Sequence, residues 1–218
     1  MTTFPGSPKL IKGGIVQYDV DSSQVKRVIS LQINPETLNR SFQIQGVEGG
    51  DGGDRSQALR LKGPPVESFS LEATIDATDL LEKGDAIAAE FGIQRELNAL
   101  EAIVYPTSTE LRENNQLAQS GTLEIIPMEE PLTLFIWSKV RVLPVLFTEL
   151  SITEKAFLPN LMPILATVSL GMRVLSIDDL GFEHKGGSLF MNYLQNKESL
   201  RDRYTQVGLN SLGIGEIP

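Results

Sequence analysis

PLTLFIWSKVRVLPVLFTELSITEKAFLPNLMPILATVSLGMRVL, from Pro131 to Leu175, is the stretch whose reading decides the fold. It divides into three extended runs. In the first, Leu132, Leu134 and Ile136 alternate with Thr133, Phe135 and Trp137, so both faces are largely apolar. The second covers Val140 to Thr153, with Arg141 and Glu149 as charged breaks. In the third, Ile164, Ala166, Val168, Leu170, Met172 and Val174 share one face, and Leu165, Thr167, Ser169, Gly171, Arg173 and Leu175 share the other. A period of two means a strand, because successive side chains point to opposite sides of the pleat. Glu154 to Asn160 carries Pro159 and Asn160 and predicts the turn of a long hairpin. Ordinary strands run to about five or six residues. Longer ones, apolar on both faces, need covering twice, once by their own domain and once by a neighbour. The stretch therefore predicts a β protein built into an assembly.

Working outward, the preceding chain continues the β pattern. Leu10–Val20 has strand character broken by Gly13-Gly14, and Val28–Ile33 alternates. Asn34-Pro35-Glu36 predicts a turn, followed by a strand over Thr37–Gln45. Phe69, Leu71, Ala73 and Ile75 define one face of a further strand. Asp76 to Asp79 offers capping oxygens for a helical region starting near Leu80, which Gly84 and Gly92 cut into a short piece and a main helix. The main helix has an apolar stripe of Ile93, Leu97, Leu100 and Val104 and ends at Pro106. Thr107–Ser120 is polar and reads as a loop or lid with some helical turn, and Thr122–Ile126 as a short strand. Beyond Leu175, Ser188 is expected to cap a terminal amphipathic helix with Phe190, Tyr193, Leu194, Leu200 and Tyr204.

Composition removes whole classes of function. There is no cysteine, hence no disulfide, zinc-thiolate site or cysteine nucleophile. A net charge of -9 argues against nucleic-acid binding, which requires a basic face. No apolar run reaches the roughly 20 residues of a membrane span, and no signal peptide opens the chain. These features predict a soluble protein made in the cytoplasm, without direct membrane insertion. The one histidine, His184, lies in a Gly-rich turn, no Gly-x-Ser-x-Gly elbow occurs, and Asp178-Asp179 and Glu129-Glu130 read as loop charge. We expect no catalytic residue, no cofactor and no metal. Gly46–Asp54, GVEGGDGGD, could be read as a calcium loop, but it lacks EF-hand spacing and tandem repeats and reads better as a surface loop.

The quoted stretch resembles the tube-like baseplate proteins of contractile injection systems and contractile phage tails. The resemblance rests on Phe135-Ile136-Trp137, Arg141-Val142-Leu143-Pro144-Val145, Ser151-Ile152-Thr153-Glu154, Pro159-Asn160-Leu161-Met162-Pro163 and Val168-Ser169-Leu170, in order. The turn Asn34-Pro35-Glu36 with Leu38, Arg40 and Ser41, and the segment Arg60 to Glu67, add to it. It implies a mainly β fold with one or two helices: an antiparallel β-barrel or two-sheet sandwich similar to tail-tube proteins, assembling as a homohexameric ring. It implies a tube-like domain over 1–178, with a flanking helix near 79–105 packed outside the barrel, and a C-terminal extension over 179–218. Many relatives carry a LysM module after the tube domain; 179–218 is too short for one and lacks its pattern. The implied role is a tube initiator or spike-tube adaptor. Its expected partners are the spike or hub, the inner tube protein or a second adaptor ring, and other baseplate proteins, within a phage tail-like particle assembled in the cytoplasm.

Candidate interface residues are Trp137 and Arg141, because Trp and Arg are enriched at binding hot spots, together with Phe147. Trp137 reads equally well as a core residue. Arg40 and Arg173 sit mid-strand opposite an apolar face and point to solvent, a lumen or an acidic neighbour. Asp51 and Asp54 lie in the loop that tube-like folds extend toward the next ring. The alternative class is a monomeric β-sandwich binding module for protein or carbohydrate ligands. Its groove would call for aromatic side chains, and aromatics are only 6% of this chain.

Overall fold

The strand expected after Val140 runs from Arg141 to Phe157 and governs the architecture. The computed structural model describes residues 11–46, 61–120, 131–205 and 207–217. Its strands are β1 (Gly14–Asp19), β2 (Gln24–Ser30), β3 (Leu38–Gln43), β4 (Val66–Asp76), β5 (Leu132–Ser138), β6 (Arg141–Phe157) and β7 (Pro163–Val174). All pairings are antiparallel, in the order β2-β1-β5-β6-β7-β4-β3. The expected mainly β antiparallel fold is present. Thr122–Ile126 lies outside the described residues.

β6 joins two sheets. Its opening residues, Arg141–Pro144, pair with β5, and from Val145 onward it pairs with β7. Its 17 residues reach about 56 Å at roughly 3.3 Å each, far beyond an ordinary strand. Pro144 marks the switch. It has no N–H to donate, and its carbonyl accepts from Leu175 N at 2.9 Å. A bulge between Phe147 and Glu149 bends the strand just beyond it. Gly171 faces the bulge, where a Cβ would come within 3.0 Å of Thr148 Oγ1. The strand also runs further than the sequence reading placed it. Glu154 and Lys155 stay in register with Ala166 and Leu165, so the turn falls on Leu158–Met162.

The core forms between the sheets. Ala166, Val168, Leu170, Met172 and Val174 are buried, and Val168, Leu170 and Met172 are in register with Ala73, Leu71 and Phe69 of β4. Ile15, Phe135 and Leu143 close on them from the other sheet, with the Phe69 and Phe135 rings 5.5 Å apart. A smaller cluster of Val16, Leu132 and Leu134 fills the far side of that sheet against Leu180 and Leu189. Burying a large apolar side chain contributes about 1.5–3 kcal/mol, so these residues dominate stability.

The helical region is three short helices: α1 (Thr78–Glu82), α2 (Ala86–Phe91) and α3 (Gln94–Glu101). Gly84 and Gly92, both at positive φ, separate them, so three short pieces stand where a short piece and one main helix were expected. Ile93, Leu97 and Leu100 are buried, but Ile103 takes the place expected for Val104. The reason is that α3 ends at Glu101, and the following tight turn, Ile103 N to Leu100 O, rotates the chain.

Three readings are corrected. Residues 108–119 form a full helix, α4 (Ser108–Gln119), rather than a loop. It buries no residue and is fixed locally by a capping box between Thr107 and Glu110, whose carboxyl the Thr107 side chain and backbone hold below its usual range. Asp178-Asp179 belongs to a short capped helix, α5 (Ile177–Leu180). The last helix, α6 (Lys185–Asp202), starts before Ser188, and His184 is its cap, its Nδ1 accepting from Gly186 N at 3.0 Å. Gly186 and Gly187 form its first turn because α5 leaves no room for side chains. A Cβ on Gly187 would lie 1.8 Å from Gly181 O. α6 then sends Phe190 and Tyr193 into the core, while Leu200 and Tyr204 stay exposed.

Candidate assembly surfaces

The β6-β7-β4-β3 sheet has one covered face and one open face. Alternation along β7 leaves Thr167, Ser169, Gly171 and Arg173 on the open side. Register adds Ser151 and Thr153 from β6, Ser68, Ser70, Glu72 and Thr74 from β4, and Asn39 and Ser41 from β3. Small hydroxyl side chains predominate, and none of these side chains is buried. The covered face carries the core, with α3 and α6 on that side.

Both outer strands of this sheet are free along their outer edges. Beyond Pro144, β6 pairs only with β7, and β3 pairs only with β4, among the described residues. Such edges carry unpaired N–H and C=O groups that template pairing with another chain. β2, the free edge of the other sheet, has Lys26 and Arg27 to discourage pairing. The β3 edge offers one cation, Arg40, and that side chain is engaged inward.

Arg40 finds an acidic neighbour, one of its three expected destinations, but on the covered face. It shares the covered face with Phe69, its register partner, rather than opposing an apolar face. Its guanidinium bonds Glu67 at 2.8 and 3.1 Å and Tyr193 Oη at 3.1 Å, and stacks over Phe42 and Phe69. Glu67, only 4% exposed, also accepts from Tyr193 Oη at 2.9 Å and from Lys197 Nζ at 2.9 Å. Burial, with Lys197 opposing it, raises the Tyr193 hydroxyl above its usual range, so it remains a donor. Partial burial pulls Arg40 down, but its bonds and charge contacts to Glu67 and Tyr193 outweigh this and raise it. The network fastens edge strand β3 and strand β4 to α6. Glu67 is not among the candidate residues, although its parity with Phe69 and Leu71 places a carboxylate on the buried face.

Arg173 does lie on the open face, with Nη1 bonded to Asp179 at 2.9 Å. Trp137 packs on Phe135 with ring centres 5.9 Å apart and leaves no space for a side chain at Gly13. Phe147 packs partly against the core. Arg141 is half-buried at the start of β6, in register with Ser138 of β5. Asp51 and Asp54 lie outside the described residues. No cluster of three or more His, Cys, Asp or Glu suited to a metal occurs among the described residues. No described helix is long and apolar enough to cross a membrane.

A long-stranded antiparallel sheet with a polar open face and free edges on β3 and β6 has the features that pairing with another chain uses. The family is specific. Residues 9–125, more than half of the chain, match the model of the contractile injection system tube protein family, and the chain belongs to that family. It is thus a structural tail or tube protein of contractile injection systems. It is similar to a chain in the virion of a native gene transfer agent particle, at 14% identity and a TM-score of 0.27. It is similar also to a chain in the tail of an empty gene transfer agent particle, solved with C6 symmetry, at 15% identity and a TM-score of 0.29. Each match covers 74% of this chain and 90% of the other. No curated protein matches.

Proposed function

We propose that this chain forms a homohexameric ring in the baseplate, between the spike or hub and the inner tube, where it initiates or adapts the tube. One observation carries the reading. The four strands β6, β7, β4 and β3 alternate in direction, so β3 of one copy continues the sheet onto β6 of the next without breaking the antiparallel pattern. Six copies then close one barrel and leave no edge. The polar open face lines its lumen, and α3 and α6 stand outside. The two ends of the ring meet the spike and the inner tube protein or a second adaptor ring, with other baseplate proteins around it. Assembly takes place in the cytoplasm, within a phage tail-like particle.

Because the chain has no cysteine, crosslinking reads this directly. Ser41→Cys on β3 is combined with Ser151→Cys or Thr153→Cys on β6, and Asn39→Cys with the same partners covers the neighbouring register. A disulfide needs Cα atoms roughly 4.4–6.8 Å apart, a distance adjacent strands supply. One pairing should give a non-reducing ladder that ends at six copies. Monomer throughout, across all four pairings and with the purified spike present, contradicts the reading.

A further inference from the structure

We propose that the β6–β7 hairpin tip is a preformed docking knob for a partner protein other than this chain, one with an apolar socket rimmed by lysine or arginine. Leu161, at the tip, is 80% exposed and sits at φ +64. A left-handed conformation at a residue with Cβ costs about 1–2 kcal/mol, and here no burial offsets it. Phe157 on the same hairpin and Ile87 and Phe91 on α2 are also exposed. The tip is nonetheless held firmly. Asn160 Nδ2 donates to Glu90 O at 2.9 Å, Ile93 N donates to Pro163 O at 2.9 Å, and Leu158 N donates to Met162 O at 2.8 Å. Rigid presentation of apolar side chains is what an interface anchor requires, since little ordering entropy remains to be lost on binding.

Charge selects the occupant. The knob and the short helices at its base carry Asp79, Glu82, Asp85, Glu90 and Glu154 against Lys83 and Lys155, and Lys155 is turned to Thr167 Oγ1 at 2.8 Å. At the opposite end of the β6–β7 pair lies a groove of about 740 Å³, with Val145, Leu146 and Phe147 in its wall. A second copy stacked head to tail would place its knob there. Among the described residues, that groove brings Asp19, Asp21 and Asp179 with the single lysine Lys26. Even with Arg173 counted beside Asp179, its described residues do not supply the cations the knob's acids need. Like charges facing each other suppress a wrong partner, so the knob meets a basic-rimmed protein instead.

The inference rests on the ring reading only in its choice of probes, the purified spike and the purified inner tube protein of the same particle. The wild-type chain should bind one of them, and Leu161→Asp should weaken that binding by roughly thirtyfold or more, the loss typical of a hot spot. Glu90→Lys with Glu154→Lys should weaken it too and flatten its salt dependence. The mass of each variant, measured separately, reports on the ring. The proposal is overturned if neither probe binds, if Leu161→Asp leaves binding unchanged, or if the chain stacks on itself through Leu161.

Discussion

Glu67→Ala lowers the unfolding free energy by about 3 kcal/mol, at the low end for breaking a buried ion pair. The substitution strands Arg40 and Lys197 beside an apolar core and leaves the Tyr193 hydroxyl without its acceptor. The low end applies because Arg40 and Lys197 keep side-chain exposures of 26% and 37% and so regain some water. Glu67→Gln, which preserves an acceptor for Tyr193 but not the charge, should fall between. The urea midpoint measures this, with an unchanged slope showing that only stability moved. A loss within about 0.5 kcal/mol, ordinary for a surface position, would show that the network contributes nothing. Because Glu67 fastens β3 to α6, the same variant should also weaken the proposed subunit pairing through the β3 edge.

Gly92→Ala costs about 2–6 kcal/mol, the sum of a positive-φ backbone that only glycine adopts readily and an overpacked contact. At Gly92, φ is +55, and a Cβ would lie 2.0 Å from Pro163 O and 3.0 Å from its carbonyl carbon. The obstruction is backbone, with no flexible side chain to move aside. The Ile93 N to Pro163 O bond that pins the hairpin to α3 would have to break. Gly84→Ala is the control. There φ is +70 but nothing lies within 4 Å, so only the conformational cost of about 1–2 kcal/mol applies. Equal midpoints for the two variants would remove the steric contribution.

The β architecture was legible because periodicity reports it directly. The face Ala166 to Val174 and the face Phe69 to Ala73 are both buried as their parity predicts. α4 was not legible from periodicity, since a helix with no buried residue leaves no apolar stripe; only Thr107 and Glu110 announced it. α6 was misplaced because Gly186-Gly187 ordinarily signals a loop, and the close approach of Gly181 that demands glycine there is a tertiary fact. The candidate site was legible in outline only. The polar face of β7 could be read from alternation, whereas the destination of Arg40 depends on Glu67, Tyr193 and Lys197, which lie far apart in sequence. Trp137, equally readable as core or interface, lies against Phe135 and Gly13.

The most direct measurement is the mass of the purified 23.9 kDa chain in solution, alone and with the purified spike, followed by negative-stain imaging. The ring reading predicts about 143 kDa, six copies in closed cyclic symmetry, as particles with a central hole, formed either alone or on the spike. A monomer that stays a monomer with the spike and binds a glycan or soluble protein would contradict it, and would return the chain to the class of single binding modules.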